Sequence, residues 1–121
     1  RVDEAIAMAA VYAANHLAGV AAMVCLTESG TTALRISRLS SGLPIYALSR
    51  HPEAVRRMCL YSGVRPLLFD YTACAAGEVA QEAVNELQHR GLIAGGDRLL
   101  LTRDDLLGVG GSTTTLKIVE V

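Results

Sequence analysis

Six consecutive residues that follow a short apolar run combine four hydroxyl groups with one glycine. They are Thr27, Glu28, Ser29, Gly30, Thr31 and Thr32. A helical stretch follows them, so their backbone N–H groups lie at a helix N-terminus, where unpaired donors and the helix dipole favour an anion. A plain helix cap by Ser29 or Thr31 would explain only one of the hydroxyl groups. The pattern predicts a phosphate-sized binding site.

Two features of the same segment argue against a phosphate ligand. The segment lacks the Gly-Lys-Ser/Thr sequence of a nucleotide-binding P-loop. Glu28 also carries the wrong charge for a phosphate unless its side chain faces away. Anion binding and simple helix capping therefore both remain open from these residues.

A second segment rich in glycine and hydroxyl groups lies near the C-terminus, at residues 108–115. Its glycines would let the backbone approach a ligand closely. A dinucleotide-binding fingerprint would follow the first strand and open a helix, whereas this segment precedes a terminal strand. A ligand-binding loop and a plain turn between strands are the two interpretations.

The remaining polar residues predict no catalytic centre. The histidines are widely spaced and form no metal-ligating pair, so we expect each to be structural or solvated. Adjacent carboxylates in a loop usually form a solvated turn, which is the expectation for Asp104 and Asp105. Arg56 and Arg57 are expected on the solvated face of a helix.

Charge and composition exclude two classes of partner. The formal net charge is −1, with 11 basic and 12 acidic residues, so no broad positive field would hold nucleic acid or an anionic membrane surface. Aromatic residues are few, which leaves little surface for stacking on bases. The apolar stretch at residues 5–26 is interrupted by Asn15, His16 and Gly19, so it predicts no membrane span.

The three cysteines indicate a reducing compartment. Cys25, Cys59 and Cys74 lie far apart and form no Cys-x-x-Cys pair, and their odd number does not suit a disulfide framework. We therefore expect a cytoplasmic protein. Cys25 lies within an apolar run and is predicted to be a small core residue.

Apolar periodicity and turn residues predict alternating strands and helices within a single α/β domain at residues 1–121. Helices are predicted over residues 2–17, up to residue 40, from residue 52, and over 76–90; strands over 20–26, 44–48, 64–69, 98–102 and 113–121. This alternation predicts a mostly parallel sheet that is covered on both faces, with the last strand at an edge. The middle of the first helix is apolar on every face, so we expect a second cover from outside this chain.

Motifs along the whole chain resemble, in order, those of the C-terminal domain of bacterial-type pyruvate kinase. They are AIAMAAVYAAN at residues 5–15, LTESGTTA at 26–33, SSGLPIYALS at 40–49, GVRP at 63–66, GD at 96–97 and GVGGSTTT at 108–115. The resemblance implies a three-layer α/β/α fold whose five-stranded sheet is mostly parallel with an antiparallel last strand.

The resemblance also implies the role of the domain in a larger enzyme. In pyruvate kinase, a β/α barrel transfers phosphate from phosphoenolpyruvate to ADP in glycolysis, using magnesium and usually potassium. That barrel is absent here, so this chain would carry no catalytic residue and no cofactor of its own. The first helix would contact the barrel or another subunit of a homotetramer. A purely structural oligomerisation domain with a vestigial pocket is the alternative.

In the family, an allosteric sugar phosphate binds the loop after the first strand, and a glycine-rich loop lies over it. The resemblance places the effector phosphate on residues 27–32 and the effector loop at Arg103, Gly110, Gly111, Ser112 and Thr113. Some members have Arg or Lys where this chain has Thr31. Members that bind a bisphosphate gather basic residues near the glycine-rich loop, where this chain has Asp104 and Asp105 instead and only Arg103 close in sequence. We therefore expect a monophosphate such as glucose 6-phosphate, ribose 5-phosphate or AMP rather than fructose 1,6-bisphosphate.

Overall fold

The computed structural model describes residues 2–39, 42–104 and 113–121. Helices and strands alternate as the periodicity predicts. The order is α1 (Val2–His16), β1 (Val20–Leu26), α2 (Thr31–Leu39), β2 (Ile45–Ser49), α3 (Pro52–Met58), β3 (Val64–Leu68), α4 (Val79–His89), β4 (Arg98–Asp104) and β5 (Thr113–Glu120).

The five strands form one sheet in the order β3-β2-β1-β4-β5. The β1–β2, β2–β3 and β1–β4 pairs are parallel, and β5 runs antiparallel to β4 at the edge. The predicted mostly parallel sheet with an antiparallel last strand is confirmed.

The side chains of β1 alternate between two hydrophobic cores because successive residues of a strand point to opposite faces. Val24 and Leu26 pack on the face covered by α4. Met23 and Cys25 pack on the opposite face, against residues of α1, α2 and α3. The result is the expected three-layer α/β/α arrangement.

Two elements differ from the predicted bounds by more than one residue. The helix predicted over residues 76–90 opens with a short 3₁₀ turn at Ala76–Glu78 before α4 begins. Strand β4 continues to Asp104, past the predicted end at Thr102, because its pairing with β5 extends to Asp104 opposite Thr113.

Helix α1 packs on the sheet through one face only. Ala7, Ala10 and Val11 are buried, whereas Met8 is 63% and Tyr12 is 65% exposed. Their exposure leaves an apolar surface that no described residue covers, which is consistent with the expected cover from outside the chain.

The opposite edge strand, β3, contains a proline. The amide of Phe69 donates to the carbonyl of Ser49 on β2 at 2.8 Å. Because amides alternate in direction along a strand, those of Leu67 and Arg65 face β2 as well, and the ring nitrogen of Pro66 faces the free edge.

Candidate functional site

The candidate site lies where the strand connections change direction. The helices after β1 and β2 cover one face of the sheet, and α4, which leads to β4, covers the other. Parallel strands β1 and β4 are neighbours, with Leu26 opposite Arg103. Ligands of open α/β sheets bind at the carboxyl ends of strands at such a point. The loop at residues 27–30 and the last residue of β4 meet there.

The carboxylate of Asp104 accepts three hydrogen bonds from the start of α2 and the loop before it. The hydroxyl of Thr27 and the amide of Glu28 donate to Oδ2 at 3.0 and 2.9 Å, and the hydroxyl of Thr32 donates to Oδ1 at 3.3 Å. Asp104 is 2% exposed, so the expectation of a solvated turn is wrong for this residue. Asp104 lies within the paired part of β4, and the three hydrogen bonds offset the free-energy cost of burying its charge. Asp105 lies outside the described residues.

The four hydroxyl groups of the segment divide into an inner and an outer pair. Thr27 and Thr32 are buried and face Asp104. Ser29 and Thr31 are half-buried, and their hydroxyl oxygens lie 2.9 Å apart.

Ser29 also caps α2, because its hydroxyl accepts the amide of Thr31 at 3.3 Å. The capping interpretation therefore holds for this residue. Within the described part of the chain, the amide of Ser29 itself has no hydrogen-bond acceptor. One backbone donor of the loop is thus available beside the two outer hydroxyl groups.

Gly30 fixes the shape of the loop. Its φ of +88° is a conformation that residues with side chains rarely adopt, and a Cβ there would lie 2.8 Å from Cγ of Met58 on α3. Its amide donates to the hydroxyl oxygen of Thr27 at 2.9 Å. Thr27 therefore uses its hydroxyl twice, as a donor to Asp104 and as an acceptor from Gly30.

Glu28 turns its side chain toward basic residues that follow β2. Its carboxylate accepts hydrogen bonds from Arg50 at 3.0 and 3.2 Å and lies 3.1 Å from Nε2 of His51. Burial raises the pKa of Glu28, but the hydrogen bonds from Arg50 and Tyr71 and the nearby positive charges outweigh it, and the pKa lies below its ordinary value. Its negative charge is therefore neutralised within the chain.

Tyr71 connects this ion pair to the end of β3. Nε of Arg50 donates to the Tyr71 hydroxyl at 3.2 Å. The guanidinium carbon of Arg50 lies 5.7 Å from the centre of the Tyr71 ring. Burial, together with a hydrogen bond to Glu28, raises the pKa of Tyr71 to about 12. Glu28, Arg50 and Tyr71 thereby link the carboxyl ends of three strands.

Arg57 of α3 brings a positive charge to the loop, and the sequence did not predict this contact. Its guanidinium donates to the carbonyl of Ser29 at 2.6 Å, whereas the sequence predicted only a solvated helix face. The pattern of α3 correctly indicates an exposed side chain, but the approach of α3 to the loop depends on the fold. We call Ser29, Thr31 and Arg57 the outer group.

The predicted effector loop lies mostly outside the described residues, which do not include Gly110, Gly111 or Ser112. Thr113 begins β5 and pairs with Asp104, so the end of this loop meets the candidate site. Arg103 precedes Asp104 and is half-buried.

Neither a metal centre nor a membrane helix is present in the part of the chain that the structure describes. No three His, Cys, Asp or Glu residues there are grouped closely enough to hold a metal ion. None of the described helices has the length and apolar character needed to cross a bilayer.

The fold and the loop at the β1–β4 junction define an α/β domain of the kind that binds ligands at the carboxyl edge of its sheet. A family model described as "Pyruvate kinase, alpha/beta domain" matches residues 4–119. The chain belongs to this family, as its C-terminal domain of bacterial type.

Curated bacterial proteins named pyruvate kinase are similar along the chain. Pyruvate kinase II of Salmonella typhimurium is 51% identical over 121 residues, which are 99% of this chain and 25% of the relative. Pyruvate kinase of Buchnera aphidicola is 43% identical over 120 residues, again 99% and 25%. That of Haemophilus influenzae is 44% identical over 115 residues, 94% and 23%. The chain thus spans about a quarter of the length of these relatives.

Proposed function

We propose that this chain is the allosteric sugar-phosphate-binding and subunit-assembly domain of a pyruvate kinase. In the full enzyme, a catalytic barrel of the same polypeptide would transfer phosphate from phosphoenolpyruvate to ADP with magnesium and potassium, in the cytoplasm and within a homotetramer. The resemblance supports these features of the whole enzyme. The geometry of this chain supports the binding role.

The observation that carries the binding role is the outer group at the start of α2. The hydroxyl oxygens of Ser29 and Thr31 lie 2.9 Å apart, and the guanidinium of Arg57 contacts the carbonyl of Ser29. The amide of Ser29 has no acceptor among the described residues. These are the donors that bind phosphoryl oxygens, and the helix dipole adds to them. Glu28, the charge that argued against a phosphate, is paired with Arg50.

The ligand of this site is a monophosphate. The guanidinium of Arg57 contacts the backbone of the loop, that of Arg50 is paired with Glu28, and Asp104 adds a negative charge nearby. A second phosphate would therefore lack a compensating cation. Glucose 6-phosphate, ribose 5-phosphate and AMP are the candidate effectors, in preference to fructose 1,6-bisphosphate.

Calorimetric titration of the chain with these four compounds tests the binding role. Arg57→Gln should weaken binding of the monophosphate by about ten- to a hundredfold, because a charge-assisted hydrogen bond contributes about 1.5–3 kcal/mol. Arg56→Gln, on the same helix and also exposed, is the matched control and should bind normally. Tight binding of fructose 1,6-bisphosphate without binding of any monophosphate would contradict the assignment.

A purely structural assembly domain is the second candidate, and a specific observation favours it. Asp104 already accepts hydrogen bonds from Thr27, Glu28 and Thr32, which we call the inner donors. The apolar face of α1 is exposed at Met8 and Tyr12. A full-length enzyme in which Ser29→Ala and Thr31→Val leave activation by every sugar phosphate unchanged would support this alternative. Ser62→Ala, in the exposed turn before β3, is the control. Thr27 is unsuitable for this comparison because it is buried.

A further inference from the structure

We propose that the carboxylate of Asp104 occupies the inner donors of the loop after β1 in place of a ligand. This carboxylate excludes phosphoryl groups from the inner donors and restricts phosphoryl binding to the outer group. This inference rests on the proposed binding function and names the residue that sets its specificity.

The first argument is the number of donors that Asp104 occupies. Two hydroxyl groups and one backbone amide, from Thr27, Thr32 and Glu28, all donate to this carboxylate. A hydroxyl has one hydrogen and an amide has one, so none of these groups can donate a full hydrogen bond to a second acceptor. A phosphoryl group would have to displace the carboxylate to use them.

The second argument is the burial of the charge. Asp104 is 2% exposed, so solvent screens its carboxylate poorly. A phosphomonoester dianion close to it would be repelled, and Arg50, a nearby cation, is committed to Glu28 through two-oxygen hydrogen bonding. Displacement of Asp104 would also leave a buried carboxylate without these donors, which is costly.

The third argument is that the outer group stays usable while Asp104 remains in place. The hydroxyl groups of Ser29 and Thr31 contact each other and not Asp104, so one of their two hydrogens stays free to donate to a ligand. The guanidinium of Arg57 contacts the carbonyl of Ser29 from α3. A singly phosphorylated ligand can therefore bind at the outer group, while Asp104 prevents its phosphoryl group from reaching the inner donors.

The test is the affinity of the 121-residue chain, which contains both hydrophobic cores, for inorganic phosphate and glucose 6-phosphate. Asp104→Asn removes the charge and frees donors, so both should bind at least about tenfold more tightly. Asp97→Asn is the matched control. This carboxylate accepts the amide of Ala94 in a turn at the other end of β4, and its loss should leave affinity unchanged.

The outcomes separate the two proposals. If the unmodified chain binds glucose 6-phosphate and Asp104→Asn binds it equally or more weakly, Asp104 is no barrier and the inference is overturned, while the proposed function stands. If only Asp104→Asn binds, the inference is supported and the proposed function fails for the native chain. If neither binds either compound, the inference is overturned, and the proposed function then depends on ribose 5-phosphate and AMP.

A measurement on the unmodified chain covers the case in which Asp104→Asn does not fold. During titration with inorganic phosphate, the amide NMR signals of Ser29 and Thr31 should shift. That of Glu28 should keep its position and its protection from hydrogen exchange, because Asp104 retains it. A Glu28 signal that shifts more than that of Ser29 would overturn the inference.

Discussion

The buried hydroxyl group of Thr27 links two parts of the candidate site. It donates to Asp104 and accepts from the amide of Gly30, so it joins the end of β4 to the turn before α2. Its replacement would leave buried donors and acceptors unpaired, at a cost of about 1–3 kcal/mol each. Ser29 and Thr31 are half-buried, so their replacement should cost less stability than that of Thr27, although Ser29 also caps α2.

Gly30→Ala should destabilise the chain more than Gly63→Ala. Both glycines have positive φ, +88° and +73°, so both substitutions incur the left-handed penalty of about 1–2 kcal/mol. At Gly63 the new methyl group meets open space, whereas at Gly30 it meets Met58. We expect about 1–3 kcal/mol of additional loss at Gly30 from overpacking, measured by urea unfolding. Equal losses would show that Met58 yields without cost.

The hydroxyl-rich loop was recognisable from the sequence, but its division into inner and outer pairs was not. Composition and a following helix locate Thr27 and Ser29 at a helix start. The difference between them comes from Asp104, which is 77 positions away from Thr27 along the chain. A local pattern carries no information on that contact, and adjacent carboxylates by themselves indicate a solvated turn.

At the scale of elements, three strand ends are tied together by Glu28, Arg50 and Tyr71. Strands β1 to β3 were predictable because short apolar runs alternate with capped helical stretches. The ion pair was not, because neither Glu28 nor Arg50 shows its partner in its own neighbourhood. Only the parallel register of β1 and β2, with Leu26 opposite Leu48, brings the two loops together.

The contribution of this ion pair should depend on pH. The pKa of Glu28 is lowered in the folded chain from its ordinary value of 4.5, so the stabilisation is present above that value and is lost as the pH falls through the folded pKa. Arg50→Gln should reduce this acid-range loss of unfolding free energy, by at most about 1 kcal/mol because the pair is partly exposed.

Urea unfolding at several pH values between about 3 and 7 measures the effect of Arg50→Gln. The control is Arg90→Gln, which breaks the Arg90–Glu86 pair on α4. That pair joins residues four positions apart on the surface of α4 and contributes little to stability, so its removal should leave the acid-range slope close to that of the unmodified chain. Identical slopes for Arg50→Gln and the unmodified chain would contradict the prediction.

For the molecule as a whole, the sequence indicated a buried core residue, Cys25, and an exposed apolar face on α1. Cys25 was expected in the core and is fully buried, and burial raises the pKa of its thiol to about 12. The all-round apolar character of α1 indicated a second cover, and Met8 and Tyr12 are indeed exposed. The sequence alone did not show which face would pack on the sheet, because small alanines line both.

The exposed face of α1 should make the chain self-associate, because a contiguous apolar surface favours burial against another molecule. Met8→Lys combined with Tyr12→Lys should lower the association seen by sedimentation velocity and change the unfolding free energy by less than about 0.5 kcal/mol. Leu60→Lys, at an apolar residue that is 86% exposed elsewhere, is the control. An equal effect of both changes would mean that α1 is not the associating surface.

Pro66 has a consequence for how copies of this domain can join. On the outer border of β3 its ring offers no hydrogen to an incoming backbone, so a foreign strand could not continue the ladder there without a gap. Continuation of the sheet from one molecule into the next is thereby disfavoured on that side. Copies of this domain are therefore expected to associate through their helices or along β5 rather than by pairing strands across β3.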